Sequence, residues 1–364
     1  MVDRRDFLKI LTSGVLGTSL TSLKAREAFV QEARYYNRLN NDIVECELCP
    51  NKCLIRAGEW GDCEVRKNID GRLKSFVYGR LCSVGNDPIE KKPLFHFLPG
   101  TNAISVATPG CNLHCRFCQN WKISQAKPDE VKTRYYSPEQ LVDVTQKYNT
   151  PTIAYTYTEP TIFYEYMYDT AKAGKARGVK NVMISAGYIS QKPLEKLCQV
   201  LDGIKIDLKS FSNKFYKNLV SGELQPVLDT LKTIKENDCW LEIVYLVIPT
   251  HNDDMKMIGE MSDWLRKNLG PNVPLHFTRF SPQYLMKNLP STPVKTLERA
   301  YETAKKAGLN YVYIGNVPEH EGADTYCPNC ETKLIDRNGF MLNKKNLDKG
   351  TCPNCGNKIP GVWG

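Results

Sequence analysis

Three cysteines on one short loop, Cys111-Asn-Leu-His-Cys115-Arg-Phe-Cys118, constrain this chain more than any other feature. They form a C-x3-C-x2-C triplet. An apolar, strand-like run, Ala103-Ile-Ser-Val-Ala-Thr-Pro-Gly, leads into it, and Gln119-Asn120-Trp121 follows. Three thiolates on one loop can hold three irons of a [4Fe–4S] cluster and leave the fourth iron open. An open iron can chelate a substrate or cofactor, much as an open zinc site does. A disulfide or a partial zinc knuckle is the competing reading, but no fourth cysteine lies nearby in the sequence.

The triplet sits at the start of a long alternation. Between 101 and 318 short β-rich runs (104–108, 152–157, 181–185, 203–207, 240–248, 274–280 and 311–315) alternate with amphipathic stretches near 138–148, 161–177, 191–200, 224–237, 254–268 and 293–307. Gly174, Gly178 and Gly308 stand near helix ends, where stop signals belong. Repeated strand–helix units predict parallel strands joined by crossovers. About six such units predict an α/β fold, a partial (β/α)6 barrel rather than a closed eight-fold one. Barrels of this kind carry their chemistry at the C-terminal ends of the strands. The triplet follows the first strand at that end.

The chain of 364 residues exceeds one ordinary domain, and its 41% hydrophobic residues allow a large core. We expect a barrel over 101–320, flanked by a Cys-rich lead-in at 42–100 and a tail at 325–364. The 14 cysteines cluster tightly, which points to metal binding in a reducing place rather than to a secreted disulfide scaffold. In the lead-in, Cys46, Cys49, Cys53 and Cys63 read as a metal-stapled loop holding either zinc or an auxiliary [4Fe–4S] cluster. Cys82 reads as a spare. In the tail, Cys327-Pro-Asn-Cys330 and Cys352-Pro-Asn-Cys355 are paired knuckles expected to hold a structural zinc, since so short a segment cannot build a core alone. Cys198 and Cys239 read as isolated, packed residues.

The formal charge of +9 shrinks on inspection. Two four-thiolate zinc sites and one three-thiolate cluster would bring it to about +4. No basic stripe interleaved with aromatics is present, so the balance does not point to nucleic acid. No run of 18 apolar residues exists, so no bilayer-spanning helix is expected. The start, Asp3-Arg4-Arg5-Asp6-Phe7-Leu8-Lys9 before the mildly apolar run 10–20, resembles a twin-arginine export signal over 1–28. A charged start on a short amphipathic helix is the other reading.

The triplet, the strand before it and the aromatic ahead of its last cysteine resemble the radical S-adenosylmethionine (SAM) superfamily. That resemblance implies a [4Fe–4S] cluster on Cys111, Cys115 and Cys118 whose free iron takes the amine and carboxylate of SAM. One electron then cleaves SAM to a 5′-deoxyadenosyl radical, which abstracts hydrogen from a substrate. It further implies the backbone of Phe117 against the adenine and Glu159, in Tyr155-Thr-Tyr-Thr-Glu-Pro, toward the SAM amino group, although the usual Gly-Gly before that acid is missing. Ser185 in Ser185-Ala-Gly-Tyr, and Asp207 and Lys209 in Asp202-Gly-Ile-Lys-Ile-Asp-Leu-Lys, match SAM-binding segments of pyruvate formate-lyase activating enzymes, with Lys209 toward the SAM carboxylate. Ala186 departs from that pattern. The lead-in, Asp87-Pro-Ile-Glu-Lys-Lys-Pro-Leu-Phe-His-Phe, the tail and the ending Ile359-Pro-Gly-Val-Trp resemble the radical SAM member of the AmmeMemoRadiSam system, a relative of glycyl-radical-enzyme activases. Such a protein implies an electron donor such as flavodoxin or ferredoxin, and a protein substrate or Memo-like partner. SAM and low-potential electrons place it in the cytoplasm. The alternative is a non-catalytic module whose Cys knuckles bind metal or nucleic acid. A binding module has no need of an open three-cysteine cluster.

Overall fold

A computed structural model describes residues 29–364; the Arg4-Arg5 motif and the reading of 1–28 lie outside the described residues. Eight strands make the central sheet: β1 (Ser83–Pro88), β2 (Asn102–Ala107), β3 (Thr152–Tyr155), β4 (Lys180–Ser185), β5 (Gly203–Asp207), β6 (Trp240–Val247), β7 (Leu275–Arg279) and β8 (Val312–Gly315). They lie side by side in chain order, and the sheet is open between β1 and β8. From β2 to β8 every pairing is parallel, while β1 pairs with β2 antiparallel. The six expected helices are present: α1 (Pro138–Lys147), α2 (Tyr164–Ala176), α3 (Gln191–Cys198), α4 (Leu224–Glu236), α5 (Met255–Leu269) and α6 (Val294–Lys306). Local chemistry sets their starts. Ser137 and Gln140 close a capping box on α1 with Pro138 at its first position. Asp254 caps α5 by accepting from the amides of Lys256 and Met257.

Strand side chains alternate between two environments, as a sheet with both faces covered requires. One set, Ile153, Tyr155, Met183, Ile204, Ile206, Ile243, Tyr245, Leu275 and Phe277, packs in the main core with helix residues such as Leu141, Met167, Leu231, Met261 and Leu297. The other set faces the barrel interior. It is apolar at the N-terminal end, where Ala103, Ala154 and Val182 pack against Leu94 and Phe97 of the segment between β1 and β2. Toward the C-terminal end it turns polar, with Lys205, Asp207 and Thr278. The segment after β1 plugs the barrel base. The amides of Phe95 and His96 donate to the Glu242 carboxylate on β6, at 2.9 and 2.8 Å.

The tail folds as a three-stranded antiparallel sheet of β9 (Thr325–Tyr326), β10 (Lys333–Asn338) and β11 (Met341–Lys345). It shares a core with the barrel and the plug: Leu334, Ile335 and Ile359 pack with Tyr311, Tyr313 and Phe95. The chain end closes the base. Val362 pairs with Phe97, and the amide of Val362 donates to the carbonyl of His96 at 2.7 Å. His96 Nδ1 donates to the carbonyl of Pro360 at 2.7 Å, and its Nε2 meets the Tyr313 hydroxyl at 2.6 Å. Thus Asp87-Pro-Ile-Glu-Lys-Lys-Pro-Leu-Phe-His-Phe and Ile359-Pro-Gly-Val-Trp, distant in sequence, form one clasp. Two further three-stranded sheets make up the lead-in.

Candidate functional site

A cavity of about 480 Å³ opens at the C-terminal ends of the strands. That is ample for a cofactor-sized ligand. Cys111, Cys115 and Cys118 border it from the loop after β2, Glu159 from the segment after β3, and Lys205, Asp207 and Lys209 from β5 and its end. The triplet loop is tied down by its own backbone. His114 and Arg116 donate amides to Val220 and Leu219, and the Gly110 amide donates to Ile123. Leu113 and Phe117 are buried and anchor it in the core. Burial pushes the Cys111 thiol well up and the Cys115 thiol up to about 11. Thiols held this way ionise when a metal supplies the compensating charge.

The triplet's donor set and spacing fit a cluster. Among the described residues, the four tail cysteines alone bring three or more ligand atoms of His, Cys, Asp or Glu all within 4.8 Å of one another. The three triplet sulfurs do not all lie within that distance of one another, as the ligands of a single ion would.

Glu159 is buried and fully organised. Its Oε1 accepts from the Thr161 amide at 3.1 Å, the Thr161 hydroxyl at 2.8 Å and the Ser185 hydroxyl at 2.7 Å. Its Oε2 accepts from the Ala186 amide at 2.8 Å, leaving one direction open on that oxygen. Ser185 in turn accepts from the Gly187 amide at 2.9 Å, so its hydroxyl is spent on Glu159 and the turn rather than facing the cavity. Asp207 lies between two lysines, 2.5 Å from Lys205 Nζ and 3.9 Å from Lys209 Nζ. Burial works to raise the Asp207 carboxyl, but Lys205 and Lys209 outweigh it and hold it below the usual range. Lys209 Nζ stands 5.7 Å from the centre of the Phe117 ring, which ties the Asp-x-Lys element to the triplet loop.

Three features escaped the sequence reading. Asn252, in Ile248-Pro-Thr-His-Asn, is fully buried and donates to the carbonyls of Lys209 and Leu246 while accepting from the Ile248 amide. It sets the backbone that presents Lys209. Lys92 and Tyr157 border the cavity, and Asp87 stands behind them. Lys92 Nζ is 2.6 Å from Asp87 Oδ2 and 4.5 Å from the centre of the Tyr157 ring, and the Tyr157 hydroxyl donates to Asp87. Burial brings Lys92 down to about 8. The paired acid and lysines of Asp87-Pro-Ile-Glu-Lys-Lys were the available signal. Third, Cys198 and Cys239 are not isolated: the thiol of Cys198 at the end of α3 meets that of Cys239, just before β6.

On β7, His276 and Thr278 face inward. Thr278 borders the main cavity and a neighbouring one of about 250 Å³, which His276, Glu90 and Phe95 also line. Phe340, at the β10–β11 turn, borders both.

The tail cysteines close on one point. Cys327 and Cys355 sulfurs are 3.6 Å apart, and Cys330 and Cys352 sulfurs 3.7 Å. Hydrogen bonding from Thr332 brings the Cys330 thiol down to about 5, whereas burial lifts Cys327 to about 11. Cys46, Cys49, Cys53 and Cys63 border one small cavity of the lead-in together with Arg66. Cys82 is not part of it and donates to the Ala107 carbonyl.

Among the described residues no helix is long and apolar enough to cross a membrane. An uncharacterized protein of Methanocaldococcus jannaschii is 47% identical over 332 residues, covering 91% of this chain and 99% of that protein. The pyruvate formate-lyase-activating enzyme of Listeria monocytogenes is 24% identical over 186 residues, covering 48% of this chain and 73% of the enzyme. Of solved structures, a radical SAM methyltransferase from Sphaerobacter thermophilus overlays at a TM-score of 0.47 with 15% identity, covering 61% of this chain and 68% of its own, too distant to bear on chemistry. The radical SAM superfamily profile matches residues 105–261, from β2 and the triplet loop into α5. With an open α/β barrel and a relative of activating enzymes beside that match, the chain belongs to the radical SAM superfamily.

Proposed function

We propose that the protein reductively cleaves SAM at a [4Fe–4S] cluster held by Cys111, Cys115 and Cys118, and that the radical takes hydrogen from a substrate, either a partner protein or a small molecule. The observation that carries this reading is the meeting, around one cavity at the strand ends, of the triplet with Glu159, Asp207 and Lys209. When bound, the cluster and SAM supply the electron transfer and the 5′-deoxyadenosyl radical. The chain's own residues bind and orient. Lys209 would pair with the SAM carboxylate, and Glu159 would offer its remaining Oε2 direction to the ammonium. Asp207 neutralises Lys205 and steers Lys209, Ser185 holds Glu159 in place, and the Phe117 backbone would lie against the adenine. A buried cavity wall keeps water from a reactive intermediate.

In the tail, the sulfur separations match a tetrahedral zinc, whose Zn–S bonds of about 2.3 Å place sulfurs about 3.8 Å apart. A zinc closed by four thiolates shapes a surface and does not catalyse. Flavodoxin or ferredoxin would supply the electron. The clasp segments support membership in the AmmeMemoRadiSam group, with a Memo-like protein as partner and the cytoplasm as the place of reaction.

The test is anaerobic reconstitution, reduction with dithionite and measurement of methionine and 5′-deoxyadenosine. The intact chain should form both, and Cys115→Ala neither while keeping its helical content, because the loop is held by backbone bonds to 219–220 and 123. A wild-type chain loaded with cluster yet forming neither product would overturn the reading. Deuterium passing from a candidate partner to 5′-deoxyadenosine identifies the substrate.

A further inference from the structure

The lead-in quartet goes beyond this reading, because nothing in SAM cleavage requires it. Cys46 ends a short strand, Cys49 and Cys53 follow on the loop after it and Cys63 on a later loop, yet all four border one space with Arg66, Asn112 and Ile162. Two metals compete for four thiolates: a single zinc or a [4Fe–4S] cube. Sulfur spacing separates them. One zinc draws its four sulfurs to about 3.8 Å, which the tail quartet matches at 3.6 and 3.7 Å. No three of the lead-in sulfurs lie within 4.8 Å of one another, and in this the quartet resembles the triplet and not the tail.

A second observation points to an anionic ligand in the same space. Arg66 is 1% exposed. Its Nη2 donates to Glu165 at 2.6 Å, but Nε and Nη1 have no hydrogen-bond partner among the described residues. Two orphaned guanidinium donors in a buried site cost several kcal/mol or need an acceptor. The thiolates and sulfides of a cluster are such acceptors, and hydrogen bonds to its sulfurs tune its potential. The quartet also abuts the triplet loop. Gly110, one residue before Cys111, has a φ of 96°, and a Cβ there would stand 2.9 Å from the Cys63 carbonyl. Asn51 Nδ2 donates to the Asn112 carbonyl at 3.0 Å.

We propose that Cys46, Cys49, Cys53 and Cys63 hold a second [4Fe–4S] cluster, with the Arg66 guanidinium donating hydrogen bonds to its sulfurs. The full chain, reconstituted anaerobically with iron and sulfide, should carry about eight iron and one zinc per chain. Replacing Cys111, Cys115 and Cys118 together by Ala should leave about four iron, four sulfide and a dithionite-reducible paramagnetic signal. This arm reads the quartet whether or not SAM is cleaved. Four iron with two zinc in the wild type would assign zinc to the quartet and overturn the proposal, as would an iron-free triplet variant that remains folded. Should that variant fail to fold, Cys49→Ser with Cys53→Ser in the intact chain should halve the iron and leave the zinc; unchanged iron overturns the proposal. Arg66→Lys keeps the charge beside Glu165 but loses the planar donors. Its quartet midpoint should move to more negative potential, and an unmoved midpoint would remove Arg66 from the site.

Discussion

At the scale of single residues, Glu159 shows how a binding group is made rigid before its ligand arrives. Four donors from Thr161, Ser185 and Ala186 fix the carboxylate, so no side-chain entropy remains to be lost on binding. Glu159→Gln replaces one acceptor oxygen with a donor that must face one of those groups. We predict a loss of SAM affinity of about 10- to 150-fold, the worth of a charge-assisted hydrogen bond, with the iron content unchanged. Ser185→Ala removes one neutral hydrogen bond and leaves the charge, so about a 5-fold loss is expected. Titration of SAM into the reconstituted protein reads both. Equal affinity for Glu159→Gln and wild type would return Glu159 to a purely structural role. Motif matching found Glu159 and Lys209 because their chemistry is written locally. It marked the segments that carry Asn252 and Asp87 but not their roles, because the Asn252 partners Lys209 and Leu246 come together through folding and Tyr157, the neighbour of Asp87, is 70 positions away.

At the scale of elements, the seven parallel strands and six helices were legible because apolar period and length carry them. The antiparallel strand β1 was not. Ser83-Val-Gly-Asn-Asp-Pro has one apolar side chain in six residues and is a strand because β2 offers it a ladder from Ala107 to Asn102. The inward face of β7 was likewise unreadable, since both faces of a parallel strand are buried and alternation loses its sign. The clasp at the barrel base has a pH dependence. Burial holds His96 down at about 4 from an ordinary 6.5. Between those values the unfolded chain takes up a proton that the folded chain refuses. Stability is therefore full above about pH 6.5 and falls as pH drops toward 4, by up to about 3 kcal/mol. Around the ring stand Glu242, Arg337 and His276, and His276 is itself lowered by burial, so it adds to the same slope. Urea unfolding at pH 7 and pH 5 should show the fall. His96→Gln should be less stable at pH 7 by about 1–3 kcal/mol and should show a shallower fall. A fall as steep as that of the wild type would move the effect to His276.

At the scale of the whole molecule, the tail is less separate than its composition suggests. Short, Cys-paired and polar between its knuckles, it reads as an appendage. In the fold it shares a core with β8 and the plug, and Phe340 borders both the main cavity and its neighbour. Arg337 of β10 reaches the Phe95 carbonyl at 2.8 Å and lies 4.2 Å over the Phe95 ring. Metal loss in the tail should therefore have two consequences of different size. We predict that Cys327→Ser with Cys352→Ser releases about one zinc per chain and opens 325–364 to proteolysis, because the metal closes both knuckles of the sheet. Cleavage of SAM without a partner should persist, since Glu159, Lys209 and the triplet draw on β2 to β5 and the main core, which the tail does not join. Turnover of the true substrate should fall further than partner-free cleavage, because the turn carrying Phe340 would no longer border the cavity. The two rates and a limited-proteolysis time course test this together. If partner-free cleavage is lost while the barrel stays protease-resistant, the tail belongs to the SAM site itself, and the division between a catalytic barrel and a shaping tail is wrong.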